Sequence, residues 1–269
     1  MKIDLHTHTE HSFNSKIDIR SLLSRAEGRG LDAIAICDHD TMSAVGIARK
    51  LSTRIIVIPG MEIRSDRGTH IIGLFLQDEI IARDIFKIID EIHFQEGLVL
   101  IPHPCRPDTG LIYNCENKGL YDRDELSKII LEADLIELFD LRSSEQELYK
   151  TGKFVEFFPG LPQIASSNAH SADEIGKAYI ELEDVKADSL GEIKSALLHS
   201  PRLLRYEVYC ADGIQPDALP AGPTRSKRLL IKTGRLIPSP LRKSIQTIYR
   251  KSAGKLARRR ERENSKREY

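Results

Sequence analysis

The chain has 269 residues, 41% hydrophobic and 30% charged, enough for one large domain with a sizeable core or two small ones. No apolar run reaches the roughly 18 residues that a membrane-spanning helix needs, which excludes that class. The formal net charge of zero conceals an asymmetry: residues 1–210 carry 24 Lys/Arg against 35 Asp/Glu, and residues 211–269 carry 16 against 5. Met1 runs straight into KIDLHTH with no charged-then-apolar leader. The four cysteines, Cys37, Cys105, Cys115 and Cys210, form no CxxC pair. Reduced thiols and a cytoplasmic location are expected from this usage.

Along the chain, short β-rich runs alternate with helical patterns. KIDLH reads as a strand, IDIRSLLSRAEGRG as a helix, LDAIAIC as a strand and TMSAVGIARKLS as a helix. RIIVIPGME and GTHIIGLFL follow as strands, then DEIIARDIFKIIDEIHFQEG as one long amphipathic helix with a glycine stop. Strand LVLIPHP, helix DRDELSKIILEA, strand DLIELFD, helix SEQELYKTGKFVEFF and strand PQIASSNAH continue the alternation. Helix DEIGKA, strand YIELE and helix ADSLGEIKSALLH close it. Such alternation predicts an α/β fold with a largely parallel sheet and helices outside. About seven units in some 200 residues favour a closed barrel, whose strand-end loops share one face.

From residue 211 the pattern changes. ADGIQPDALPAGPTRS reads as a linker, and the segment after it is basic and broken by Pro238 and Pro240. Leu241, Ile245, Ile248, Tyr249 and Leu256 recur at roughly helical spacing. Two units are therefore expected: a barrel over 1–210 and a linker with a basic tail, partly helical or disordered, over 211–269. A tail of that charge fits nucleic acid, where affinity grows with each phosphate neutralised. An anionic membrane surface is the weaker expectation, because the apolar stripe is narrow.

The chemistry-bearing residues gather at the strand ends. His6 and His8 alternate in a strand and so point to one side of it. Asp38, His39 and Asp40 follow LDAIAIC, Glu62 ends RIIVIPGME, His70 starts HIIGLFL, and His103 and His170 follow two further strands. With His11, seven of the nine histidines occupy such positions. Imidazoles with one carboxylate suit Zn, Mn or Fe. His93 and His199 read as ordinary helix-face residues, and Cys37 and Cys105 as core.

HTHTEHS, CDHD, GME, THIIGL, HPCRP and SNAH resemble, in order, the motifs of the PHP (polymerase and histidinol phosphatase) family of metal-dependent phosphoesterases. The likeness runs from residue 1 to about residue 200. It implies a distorted (β/α)7 barrel with two or three divalent metals at its C-terminal face. It also implies hydrolysis of a phosphate ester by a metal-bound hydroxide. Carried over by motif, His6, His8 and Glu62 hold a first metal; Glu62, His70 and His103 a second; His39 and His170 a third, with a group from the HSFNS loop. Two motifs depart from the pattern. Asn168 stands where the family has Asp, and Phe13 and Asn14 stand where it places an Asp or His; His11 is a substitute candidate. Asp4, Asp38 and Asp40 are expected to orient ligand imidazoles, with Asp38 also a candidate catalytic residue. Arg106 and Arg142 are expected to grip a substrate phosphate, and Glu137 to support the centre or touch substrate.

The expected substrate is a phosphorylated small molecule or a nucleic-acid end, the tail favouring nucleotides. Asn14 and Asn168 motivate a second reading, a catalytically weakened PHP module that binds nucleic acid or an anionic surface through its tail. A metal-dependent hydrolase of C–N bonds ranks third, since no lysine stands at a strand end to become a bridging ligand.

Overall fold

The computed structural model describes residues 1–207. The linker and basic tail expected over 211–269 lie outside the described residues. No helix among the described residues is long and apolar enough to cross a membrane.

Nine strands form one sheet: β1 (Lys2–Thr7), β2 (Ala33–Ile36), β3 (Ile56–Arg64), β4 (His70–Leu74), β5 (Leu98–Ile101), β6 (Leu135–Asp140), β7 (Gln163–Ser166), β8 (Ala178–Leu182) and β9 (Arg202–Tyr206). Their order is β7-β6-β5-β4-β3-β2-β1-β8-β9. The sheet curls until β7 meets β1: Thr7 bridges Ala169, and His8 N donates to Ala169 O at 3.1 Å. β1 to β7 thus make the nearly closed, distorted (β/α)7 barrel. β8 and β9 extend the β1 side as an antiparallel flap.

Seven helices, α1 (Ile19–Gly28), α2 (Ser43–Leu51), α3 (Ile85–Phe94), α4 (Leu111–Lys118), α5 (Arg123–Glu132), α6 (Glu145–Val155) and α7 (Leu190–His199), join the strands. Asp18 and Asp84 cap α1 and α3, and Ser or Asp with a Glu three residues on forms a capping box at α5, α6 and α7. Each cap satisfies otherwise orphaned N–H groups and stabilises its helix by about 1 kcal/mol. The barrel strands β1 to β7 are largely buried on both faces, which explains their continuous apolar runs, whereas β8 alternates buried and half-buried residues. In β2, Ala33 and Ala35 join the cluster of Ile3, Leu5, Ile58 and Ile72, whereas Ile34 and Ile36 pack with Leu22, Val45 and Ala48 of α1 and α2.

Four details differ from expectation. β4 runs antiparallel to both β3 and β5, so its first residue, His70, lies with the last residues of its neighbours. Glu62 sits inside β3, not at its end, because the second half of β3 leaves β2 and pairs with β4 instead. The helix expected from residue 78 begins at Ile85, where Asp84 accepts from Lys87 N at 3.1 Å. The helix expected over DEIGKA is a single 3-10 turn, Ala172–Glu174; Gly176 takes φ +67° and turns the chain into β8. α4 and β9 are two further elements beyond those expected from the sequence.

Candidate metal centre

Six histidines converge on one face of the barrel, around a single carboxylate. β1 supplies His6 and its following loop His8; the loop after β2 supplies His39, β3 Glu62, β4 His70, and the loops after β5 and β7 His103 and His170. Glu62 is 1% exposed. Its Oε2 lies 3.3 Å from His6 Nε2, 3.3 Å from His8 Nε2 and 3.4 Å from His39 Nδ1. Its Oε1 lies 2.8 Å from His70 Nδ1 and 2.9 Å from His103 Nε2. One carboxylate therefore faces five ring nitrogens, divided between its two oxygens. His170 joins through His8, ring centroids 4.4 Å apart.

Three donor groups lie close enough for a shared cation: His6, His8 and Glu62; His39, Glu62 and His70; and His8, His39 and His170. The expected first set is brought together. His8 stands beside His39 and His170 as well, and His39 beside Glu62 and His70, so the sets overlap.

The electrostatics call for positive charge here. Burial alone would push the Glu62 carboxyl up, but His70 and His6 hold it well below the usual range, so it stays ionised. Burial opposes a charge on His6, yet Glu137 and Glu62 outweigh it and raise its pKa to about 10. Burial instead holds His39 down at about 4 and His170 at about 3, which leaves both as neutral donors near pH 7. His6 Nε2 and His8 Nε2 sit only 3.0 Å apart, a spacing that needs a proton or a cation between them. Two buried polar atoms, Asn168 Oδ1 and His103 Nδ1, have no hydrogen-bond partner. Imidazoles, a carboxylate and an unpartnered amide oxygen fit divalent Zn, Mn or Fe.

A second ring of contacts holds the imidazoles. Glu137, 1% exposed, accepts from His6 Nδ1 at 2.8 Å, Ser166 Oγ at 2.5 Å and His103 N at 2.7 Å. With Nδ1–H donated to Glu137, the ring of His6 is fixed so that Nε2 faces Glu62 and His8. His8 Nδ1 lies 3.1 Å from Ser12 Oγ, and His170 Nδ1 donates to Asn168 O at 2.9 Å. Asn14 Nδ2 lies 3.1 Å from His39 Nε2, so the HSFNS loop does reach the centre. His103 and Asn168 adopt positive φ, 27° and 47°, conformations that cost energy and that surrounding contacts must enforce.

The three aspartates meet backbone and side-chain groups around the cluster, and their hydrogen bonds do not go to its imidazole rings. Asp4 accepts from Ser167 N at 3.0 Å and Gly176 N at 3.2 Å, tying β1 to the loop that carries His170. Asp38 takes Thr9 N and Thr9 Oγ1, both at 2.6 Å, and so fixes the turn after His8. Asp40 pairs with Arg83 at 3.0 Å. His11 Nδ1 sits 2.7 Å from Ser43 Oγ, outside the donor groups. Arg106 Nη2 binds Asp140 at 2.6 Å, and Arg142 reaches Glu174 and Asn168 O, all at 3.2 Å. Cys37 and Cys105 are buried thiols, the latter pushed by burial to about 11. Ser12, Ser166, Asp140 and Glu174 were not singled out in the sequence; Ser12 alone had a signal, its place in the loop after HTH.

The PHP domain family model matches residues 4–214. An uncharacterized protein of Methanocaldococcus jannaschii, MJ0417, is 28% identical over 228 residues, which span 77% of this chain and 89% of that protein. Among solved structures, a Bacteroides vulgatus two-domain protein containing a predicted PHP-like metal-dependent phosphoesterase aligns with TM-score 0.61 and 17% identity. That alignment covers 77% of this chain but 64% of the other, so this chain spans less than two thirds of that protein's length. The lesion-specific endonuclease PfuEndoQ of Pyrococcus furiosus aligns with TM-score 0.53 and 17% identity, over 76% of this chain and 57% of that one. With the family match over residues 4–214 and the barrel that carries its histidines, the chain belongs to the PHP domain family.

Proposed function

We propose that the chain hydrolyses a phosphate ester of a nucleotide or a nucleic-acid end, with two or three divalent metals held by the histidine cluster. The observation that carries this reading is Glu62, a buried carboxylate with three ring nitrogens at one oxygen and two at the other. A carboxylate can serve two cations at once, which an imidazole nitrogen cannot.

His6, His8 and Glu62 would hold one metal, Glu62, His70 and His103 a second, and His39 and His170 a third, with Asn168 Oδ1 a further donor. Divalent ions so held would supply a Lewis acid for phosphoryl oxygens and a nucleophile generated from water at neutral pH. The protein's own part is orientation and charge. Glu137 fixes the ring of His6 and the backbone of His103. Asp140 holds Arg106 by one nitrogen, which leaves the rest of its planar fork for a phosphate oxygen. Arg142 donates from Nε to Asn168 O, two residues before His170, and comes from a different loop than Arg106. Asp38 acts through the turn it closes with Thr9 rather than on substrate. The excess of 11 positive charges over residues 211–269 and the endonuclease among proteins of the same fold support a nucleotide or nucleic-acid ester.

The test is Mn²⁺-dependent release of phosphate or nucleotide from short oligonucleotides and nucleoside phosphates. Wild type is expected to turn over, and Glu62→Gln to lose at least 100-fold, as expected for loss of several kcal/mol of transition-state stabilisation. Equal rates in both proteins would refute the reading.

A further inference from the structure

Phe13 carries an observation that the metal centre does not absorb. Its side chain is 87% exposed, although it lies in the loop that wraps the centre. Its ring stands over His39, with centroids 4.9 Å apart and planes inclined at 33°. The next residue, Asn14, contacts the same imidazole at 3.1 Å. Phe13 thus touches the ring of a candidate ligand while most of the residue is open to solvent. Single exposed apolar residues are ordinary on protein surfaces. Of the large ones among the described residues, Phe13, Ile47, Ile81, Phe94 and Tyr149, Phe13 is the one in ring contact with the cluster.

We propose that Phe13 is a stacking platform for the base of a nucleotide whose phosphate lies at the metal centre. The inference rests on the phosphoesterase reading and narrows its substrate to esters that carry a nucleobase. A flat apolar ring beside the site offers its open face to a base, and an aromatic side chain has few torsions to order on stacking. Stacking of this kind is tolerant of sequence because every base has a π-face. Phosphate charge would be met by Arg106 and the metals, and base by Phe13.

The chain contains no tryptophan, so Phe13→Trp places a single indole reporter at this position. The variant, loaded with Mn²⁺, is titrated with adenosine monophosphate and with ribose 5-phosphate, which share the phosphate and sugar and differ by the base. Saturable quenching by the first and none by the second is expected. Equal quenching by both, or none by either, overturns the proposal. In Phe13→Ala, the ratio of kcat/KM for adenosine monophosphate over ribose 5-phosphate is expected to fall roughly 5- to 150-fold, the range of one base–aromatic stack. An unmoved ratio with lower metal content would show that Phe13 shields His39 instead, and would also overturn it. Wild-type turnover of ribose 5-phosphate without quenching in Phe13→Trp leaves the phosphoesterase reading intact while the base platform fails. Absence of both metal and turnover in wild type defeats that reading and overturns the platform with it.

Discussion

At the scale of single residues, the centre depends on which nitrogen of each imidazole is free. Glu137 sets this for His6 by taking Nδ1–H at 2.8 Å, and it also holds the N–H of His103, whose φ is +27°. Glu137→Gln keeps the shape but weakens an acceptor that serves three donors. Metal affinity is expected to fall about 10- to 100-fold, in line with other partners that orient metal-bound histidines. Titration with Mn²⁺ followed by thermal shift checks it; unchanged affinity would mean that Glu137 is only packing. The histidines of the cluster were legible in the sequence because spacing and strand-end position mark them. Their supporting residues were less so. Asp4 and Asp38 look like ligand supports in one dimension, yet they tie backbone to backbone. Ser166 becomes a partner of Glu137 only through the pairing of β6 with β7, which no local pattern encodes.

At the scale of elements, the loop after β5 shows how backbone geometry delivers chemistry. It carries His103 and Arg106 and anchors His70, whose N–H donates to Thr109 O at 2.9 Å. Gly110 closes this loop against its own start. A Cβ there would meet Pro104 O at 2.5 Å, Arg106 N at 2.7 Å and His103 O at 2.7 Å, all backbone atoms that cannot step aside. Gly110→Ala is expected to destabilise the fold by about 1–3 kcal/mol, as overpacking does. A lowered melting temperature together with weaker Mn²⁺ binding would confirm the link, whereas loss of stability with unchanged metal binding would sever it. Strand positions were readable from β-branched runs between turn residues. Strand direction was not: β4 is antiparallel because the connection from β3 is too short for a crossover, and HIIGL has the same apolar run either way. That reversal is what puts His70 in reach of Glu62. The α3 start was misplaced because the apolar periodicity begins before Asp84, and the cap overrides it.

At the scale of the molecule, a curled sheet of nine strands brings residues from position 6 to position 170 within one cluster. The fold class was legible from alternation and length. The convergence was legible only because barrel loops share one face, a rule about topology rather than about any residue. Burying Glu62 and Glu137 at 1% exposure each is costly unless positive charge accompanies them. Protonated His6 can supply part of that charge, and divalent ions can supply more. The measurement that tests this most directly is metal content per chain, by elemental analysis of protein prepared without added chelator and after equilibration with Mn²⁺. Two or more divalent ions per chain are expected, falling in Glu62→Gln. Less than one ion per chain with Mn²⁺ in excess would contradict the account, and the buried carboxylates would then owe their stability to protonated imidazoles alone.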